Sequence, residues 1–186
     1  MQSICTTQNS LLLTNLLKFY HKDNNMQKIL PIINGESSIS LRLIDWFATN
    51  YSKKYYIVYN IKDCYNKDKR FKVYIDYKLK LKAYSKKRFD PFCRWDRISV
   101  PYKDDTNIQT TIGQLNFFRW ALENKIIVYI EENLIEITKD MNKRNCTVKN
   151  RKKEKSSKTR KKREELSISA SKTIKKEQIE IVVDFK

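Results

Sequence analysis

Eleven lysines and arginines, three aspartates and seven aromatic residues lie between Lys69 and Arg97. Eleven cations less three acids leave a net charge of +8 in those 29 residues. Cations at this density neutralise phosphates and release counterions, which gives an affinity that depends on salt and little on base sequence. Aromatic rings between them are able to stack on unpaired bases. The same rings serve equally as core, with the cationic heads reaching solvent at its edge. The stretch KAYSKKRFDPFCRW, Lys82 to Trp95, divides on this basis. Lys82, Lys86, Lys87, Arg88 and Arg94 are the candidate phosphate contacts, and Phe89, Phe92 and Trp95 read as core anchors.

A second basic run lies near the C-terminus. Lys143 to Arg163 hold 12 lysines or arginines against one acid, Glu154. Two clusters stand out, Arg151, Lys152 and Lys153, then Arg160, Lys161, Lys162 and Arg163, separated by a short polar spacer. The pattern fits a nucleic-acid-binding arm and also resembles a nuclear-localisation signal. Ser156, Ser157 and Thr159 lie between the clusters, where phosphorylation would subtract charge.

Other chemistries find little support. His21 is the only histidine, and Cys5, Cys64, Cys93 and Cys146 are scattered without CxxC or CxH spacing, which argues against a zinc site. No GxGxxG, Walker A or GxSxG pattern is present. The acid pairs Asp104-Asp105 and Glu131-Glu132 are explained by a loop and a solvated helix face. No catalytic residue, metal or cofactor is assigned, and the chain reads as a binding protein rather than an enzyme. The whole chain of 186 residues carries a net charge of +18, which favours polyanionic partners. Leu11 to Leu17 is apolar but too short to span a bilayer, and no secretory signal precedes it.

The elements that must present these residues are mostly helical. Two glycines and three prolines leave few positions for tight hairpins. After the turn at Asn34-Gly35, Ser37 or Ser38 caps a helix that places Leu43, Ile44, Phe47 and Tyr51 on one face. Tyr55 to Ile61 reads as a short strand, and the following KDCYNKDKR as a loop. Phe71 to Ser85 supports two readings. Its apolar residues alternate as in a strand, yet Phe71, Tyr74, Tyr77, Leu81 and Tyr84 also trace a helical path. Helix is favoured because a strand of that length is uncommon. Asp90-Pro91 ends it. Arg97 to Tyr102 is extended and KDDTN is a loop. Thr111 and Gln114 form the ends of a capping box that launches a helix, and a second helix carries Ile130, Leu134, Ile137 and Met141.

The chain thus divides into an N-terminal extension (1–25), a compact α-rich domain (26–141), a disordered basic tail (142–178) and a strand-like terminal peptide (179–186). In that peptide Ile179, Ile181, Val183 and Phe185 alternate with Glu180, Val182 and Asp184, as a strand added to a partner's sheet edge would. The fold class is mainly α with a minor extended or β component.

The strings ISLRLIDWFATNYSKK, YKLKLKAYSKKRFDPFCRW and IGQLNFFRWALEN resemble a family of small proteins of large nucleocytoplasmic DNA viruses, including mimivirus-like and phycodnavirus-like groups. The resemblance covers about Met26 to Met141. It implies a viral origin and supports the helical reading of Phe71 to Ser85; it supplies no catalytic residues. Together these features lead to the expectation of a viral protein that contacts DNA, or RNA, through Lys82–Arg88 and the tail, in genome packaging or viral transcription. It would have a viral protein partner at its terminal peptide. Its place would be the virion, a cytoplasmic viral factory or the nucleus. The other expectation is a virion interaction protein that meets acidic proteins or a membrane surface.

Overall fold

The computed structural model describes residues 7–62, 66–94, 96–102, 106–154 and 175–178. Two helices open the described chain: α1 (Gln8–His21) and α2 (Asn25–Asn34). Thr7 caps α1, its hydroxyl accepting from the Ser10 N–H. The described part of the stretch expected to be an extension, residues 7–25, packs into the core. Leu16 and Tyr20 are buried, and the Tyr20 hydroxyl donates to the Leu115 carbonyl. The leucine run alone did not reveal this, because its partner lies far along the chain.

Helix α3 (Leu41–Trp46) passes into a π-helical turn (Phe47–Tyr51) and a last helical turn, α4 (Ser52–Lys54). Ser40 is the cap, its hydroxyl accepting from Leu43 N, whereas Ser37 accepts from Ile39 N in the preceding turn. Both Ser37 and Ser38 are thereby replaced as the capping residue.

Strands β1 (Val58–Lys62) and β2 (Asp68–Lys72) form an antiparallel two-stranded ribbon, and β2 leads directly into α5 (Val73–Phe89). The ambiguous segment is therefore strand up to Lys72 and helix from Val73. Part of the expected KDCYNKDKR loop is strand as well. Phe71 and Val73 alternate because they straddle this junction, and both are buried.

A second sheet joins β3 (Ile98–Pro101), β4 (Thr106–Thr110) and β5 (Lys175–Gln178), all antiparallel, in the order β3-β4-β5. Helices α6 (Ile112–Glu123), α7 (Ile126–Glu132) and α8 (Leu134–Glu154) complete the set. The one helix expected after α6 is broken at Asn133, whose side-chain amide donates to the Tyr129 carbonyl. The composition boundary at Met141 lies inside α8, whose backbone continues to Glu154.

The core is organised around α6, which is buried nearly all round: Ile112, Leu115, Phe117, Phe118, Trp120 and Ala121 are all inside. Phe89, Phe117, Tyr77 and Trp120 form an aromatic cluster with ring centroids 5.6 to 6.3 Å apart. Such offset and edge-on contacts add to the large apolar area that each ring buries. Thr111 caps α6, as its sequence position suggested, by accepting from Gln114 N at 3.2 Å. Mainly α with a small β component is the fold class observed.

Candidate nucleic-acid interface

Helix α5 is amphipathic in an unusual sense. Val73, Tyr77 and Phe89 are buried on its inner face, and Asp76 Oδ2 accepts a 2.6 Å hydrogen bond from Trp120 Nε1. Its outer face mixes apolar and cationic side chains. Ile75 is 52% exposed and Leu79 60%, and with Lys78, Lys82 and Lys86 they line one shallow groove beside Tyr74 and Leu81. Spacings of three and four put Ile75, Lys78, Leu79 and Lys82 on one side of the helix, and Lys86, beyond the non-helical Ser85, lines the same groove. Lys78, Lys82 and Lys86 have no ion pair among the described residues. Lys53 holds its ammonium 5.6 Å above the Tyr74 ring, so a further cation borders the groove.

The helix is interrupted inside its basic stretch. Ser85 has φ 66° and ψ 164°, which separates Val73–Tyr84 from a final turn ending at Phe89. That turn is held by α6. Asn116 Nδ2 donates to the Arg88 carbonyl at 2.9 Å and Gln114 Nε2 to the Pro91 carbonyl at 3.1 Å. Asp90 shapes the exit, its Oδ1 accepting from Phe92 N.

The sequence candidates thus separate. Lys82 and Lys86 face solvent in the groove, and Lys87 is exposed nearby. Arg88 is half-buried and its Nε donates to Asn9 Oδ1 at 2.8 Å, which ties α5 to α1. Arg94 is exposed beyond the turn. Phe89 is fully buried and Phe92 packs at the core's edge, as expected; Trp95 lies outside the described residues. Arg151, Lys152 and Lys153 fall on the last turn of α8. Arg160, Lys161, Lys162, Arg163, Ile179, Ile181, Val183 and Phe185 lie outside the described residues.

Two sets of cations escaped the sequence candidates. Lys78 is one turn before Lys82, and a helical projection of α5 would have found it. The other set belongs to the ribbon: Lys62, Lys69, Arg70 and Lys72 are all exposed. Tyr59 anchors the ribbon from beneath. Its ring stacks on Tyr129 with centroids 5.1 Å apart, and its hydroxyl donates to the Asn124 carbonyl at 2.7 Å. Burial pushes the Tyr59 hydroxyl well above its ordinary pKa, then the Tyr129 and Asp76 charges add to this, so it remains a donor.

Charge on the opposite helices is structural. Asp140 on α8 accepts from the Lys54 ammonium and from the Tyr55 hydroxyl. Burial would raise its pKa, but these partners outweigh it and hold the carboxyl below its usual range. Arg144 lies 5.3 Å over the Trp46 ring and donates to Asn50 Oδ1. These contacts seat α8 on α3 and the π-helical turn. Among the described residues no helix is long and apolar enough to cross a membrane.

Fold and surface together describe a small helix-rich domain that displays cations on one helix and one ribbon. The chain belongs to a family of unknown function, DUF7197, whose model matches residues 3–186. A relative in Acanthamoeba polyphaga mimivirus, named Uncharacterized protein L507, is 46% identical over 146 residues. The match covers 75% of this chain and 55% of that relative, so the chain spans about half the length of the protein it resembles. The kinship with proteins of large DNA viruses is borne out. No solved structure matches the chain.

Proposed function

We propose that this viral protein is a nucleic-acid-binding protein, without catalysis of its own, whose affinity comes from phosphate contacts on the outer face of α5. The observation that carries this is the column Lys78, Lys82 and Lys86, exposed and without ion pairs among the described residues. Paired cations would have little to gain from a phosphate. Unpaired ones exchange bound counterions for it. The basic clusters at Arg151–Lys153 and Arg160–Arg163 add backbone contacts of the same kind. Packaging or transcription of the viral genome, in the virion, a viral factory or the nucleus, is the setting that fits such a protein.

A salt titration of duplex DNA binding tests this. Wild type should lose affinity steeply as salt rises. The triple variant K78Q/K82Q/K86Q should lower the slope of log affinity against log salt by up to ~3, since each phosphate contact contributes ~0.9. An unchanged slope removes α5 from the interface.

Ile75 and Leu79 favour a second reading, because phosphates have no use for apolar side chains. A virion partner with an acidic, amphipathic segment would fill the groove, its carboxylates meeting the lysines. In that case I75S/L79S would abolish partner capture and leave the salt slope intact.

A further inference from the structure

The column on α5 makes no use of the outer face of the β1–β2 ribbon. The strand register pairs Val58 with Lys72, Asn60 with Arg70 and Lys62 with Asp68. Residues directly opposite on an antiparallel pair project to the same side, and so do alternate residues along each strand. These six side chains therefore share one face, and every one of them is exposed. The other face is tied down by Tyr59, Ile61 and Phe71, which are buried or half-buried. The ribbon thus has a fixed back and an exposed, cation-bearing front whose one apolar side chain is Val58.

We propose that this front enters the major groove of duplex DNA and reads bases through Asn60 and Arg70, giving the phosphate-driven binding above a sequence preference. The inference rests on the nucleic-acid reading of the chain. Its warrant is the chemistry of the central pair. An arginine fork donates two hydrogen bonds to guanine O6 and N7. An asparagine amide donates to adenine N7 and accepts from the adenine amino group. These are the pairings that distinguish base pairs in the major groove. Here the two side chains stand opposite each other at the middle of the face. Directly opposite side chains have Cβ atoms about 4.5–5.5 Å apart, close enough for the two to address neighbouring base pairs. Lys72 on one strand and Lys62 on the other flank the central pair diagonally, positioned for the phosphates of the two groove walls.

Dimensions and charge agree. The major groove is about 12 Å wide and admits a two-stranded ribbon. Among the described residues the ribbon has two strands, whereas the second sheet carries a third, β5. The front bears Lys62, Arg70 and Lys72 against the single acid Asp68. A-form RNA presents a deep, narrow major groove that side chains cannot read, which selects DNA as the partner.

The test is selection from a pool of randomised DNA duplexes by the full chain. An enriched sequence is expected. R70K keeps the charge and loses the fork, so it should retain affinity for unrelated duplex while losing roughly five- to hundred-fold of its preference at guanine positions. N60A should flatten preference at separate, adenine positions. Both side chains are exposed, so neither change disturbs the fold. Duplex binding with no enriched sequence overturns the base-reading role and leaves the phosphate reading standing. The same enriched sequence for R70K and N60A overturns it too, as does equal competition by duplex RNA. Absence of all nucleic-acid binding at low salt sinks both readings together.

Discussion

Ser85 occupies a backbone region that is normally reserved for glycine, with φ 66° and ψ 164°. Holding a residue with a Cβ there costs of order 1–3 kcal/mol. Glycine would relieve the strain and lose part of the gain to a freer unfolded chain. S85G is therefore expected to stabilise the protein by about 1 kcal/mol, read as a raised urea midpoint. Gly113 shows the reverse situation. A Cβ there would stand 3.0 Å from the Asp90 carbonyl oxygen and 3.1 Å from that of Lys87. These are backbone atoms of a turn fixed by Asn116, Gln114 and the Cys93 N–H bond to Asp90 O. Alanine in a helix interior gains about 0.5–1 kcal/mol over glycine, but overpacking costs about 1–3 kcal/mol, so G113A should destabilise. Asp45 supplies a pH dependence. Burial first, then the Asp90 charge, pushes its carboxyl up to about 7. The folded protein then holds a proton that the unfolded chain releases at a lower pH. That contribution to stability is present below pH 4 and lost as pH rises through 7. D45N should flatten this part of the stability profile, and an unchanged slope between pH 4 and 7 would show that Asp45 does not titrate in this way.

At the scale of elements, α1 is the clearest departure from the sequence. Its leucines read as an isolated run because the surface that covers them, on α6, comes about a hundred residues later. Burial of Leu16 is complete, so L16A should cost about 2–5 kcal/mol. Thermal denaturation checks this, and a near-neutral result would return α1 to the status of an extension. The cap of α6 was legible because Thr111 and Gln114 are neighbours; so was the end of α5, because proline acts on the residue before it. The break at Ser85 had no local signal, since neither residue type nor hydrophobic pattern marks it. Candidate sites followed the same rule. Lys82 and Lys86 announce themselves by local charge density. Asn60 and Arg70 become a pair only through strand register, and register is a tertiary fact. Arg88 bonds a partner, Asn9, that lies on α1 and that no local pattern reveals.

For the whole molecule, the charge of +18 acts on folding and on binding in opposite ways as salt changes. Like charges on a compact chain repel one another, and added salt screens them over about 8–10 Å near physiological strength. The midpoint of thermal unfolding should therefore rise as salt is raised from low concentration. Duplex affinity should fall over the same range as counterion release loses its driving force. A protein whose cations were balanced locally would show neither trend strongly. The distribution of charge then decides how the binding slope divides. Changing Arg160, Lys161, Lys162 and Arg163 to glutamine leaves α5, the ribbon and Lys175–Gln178 intact. If the basic run wraps the backbone independently of the domain, this variant should lower the slope by up to ~4, and the loss should add to that of K78Q/K82Q/K86Q. Additive losses locate two separate phosphate tracks on one duplex. A slope unaffected by the glutamine run would confine DNA contact to α5 and the ribbon, leaving the terminal basic cluster to serve as an address signal.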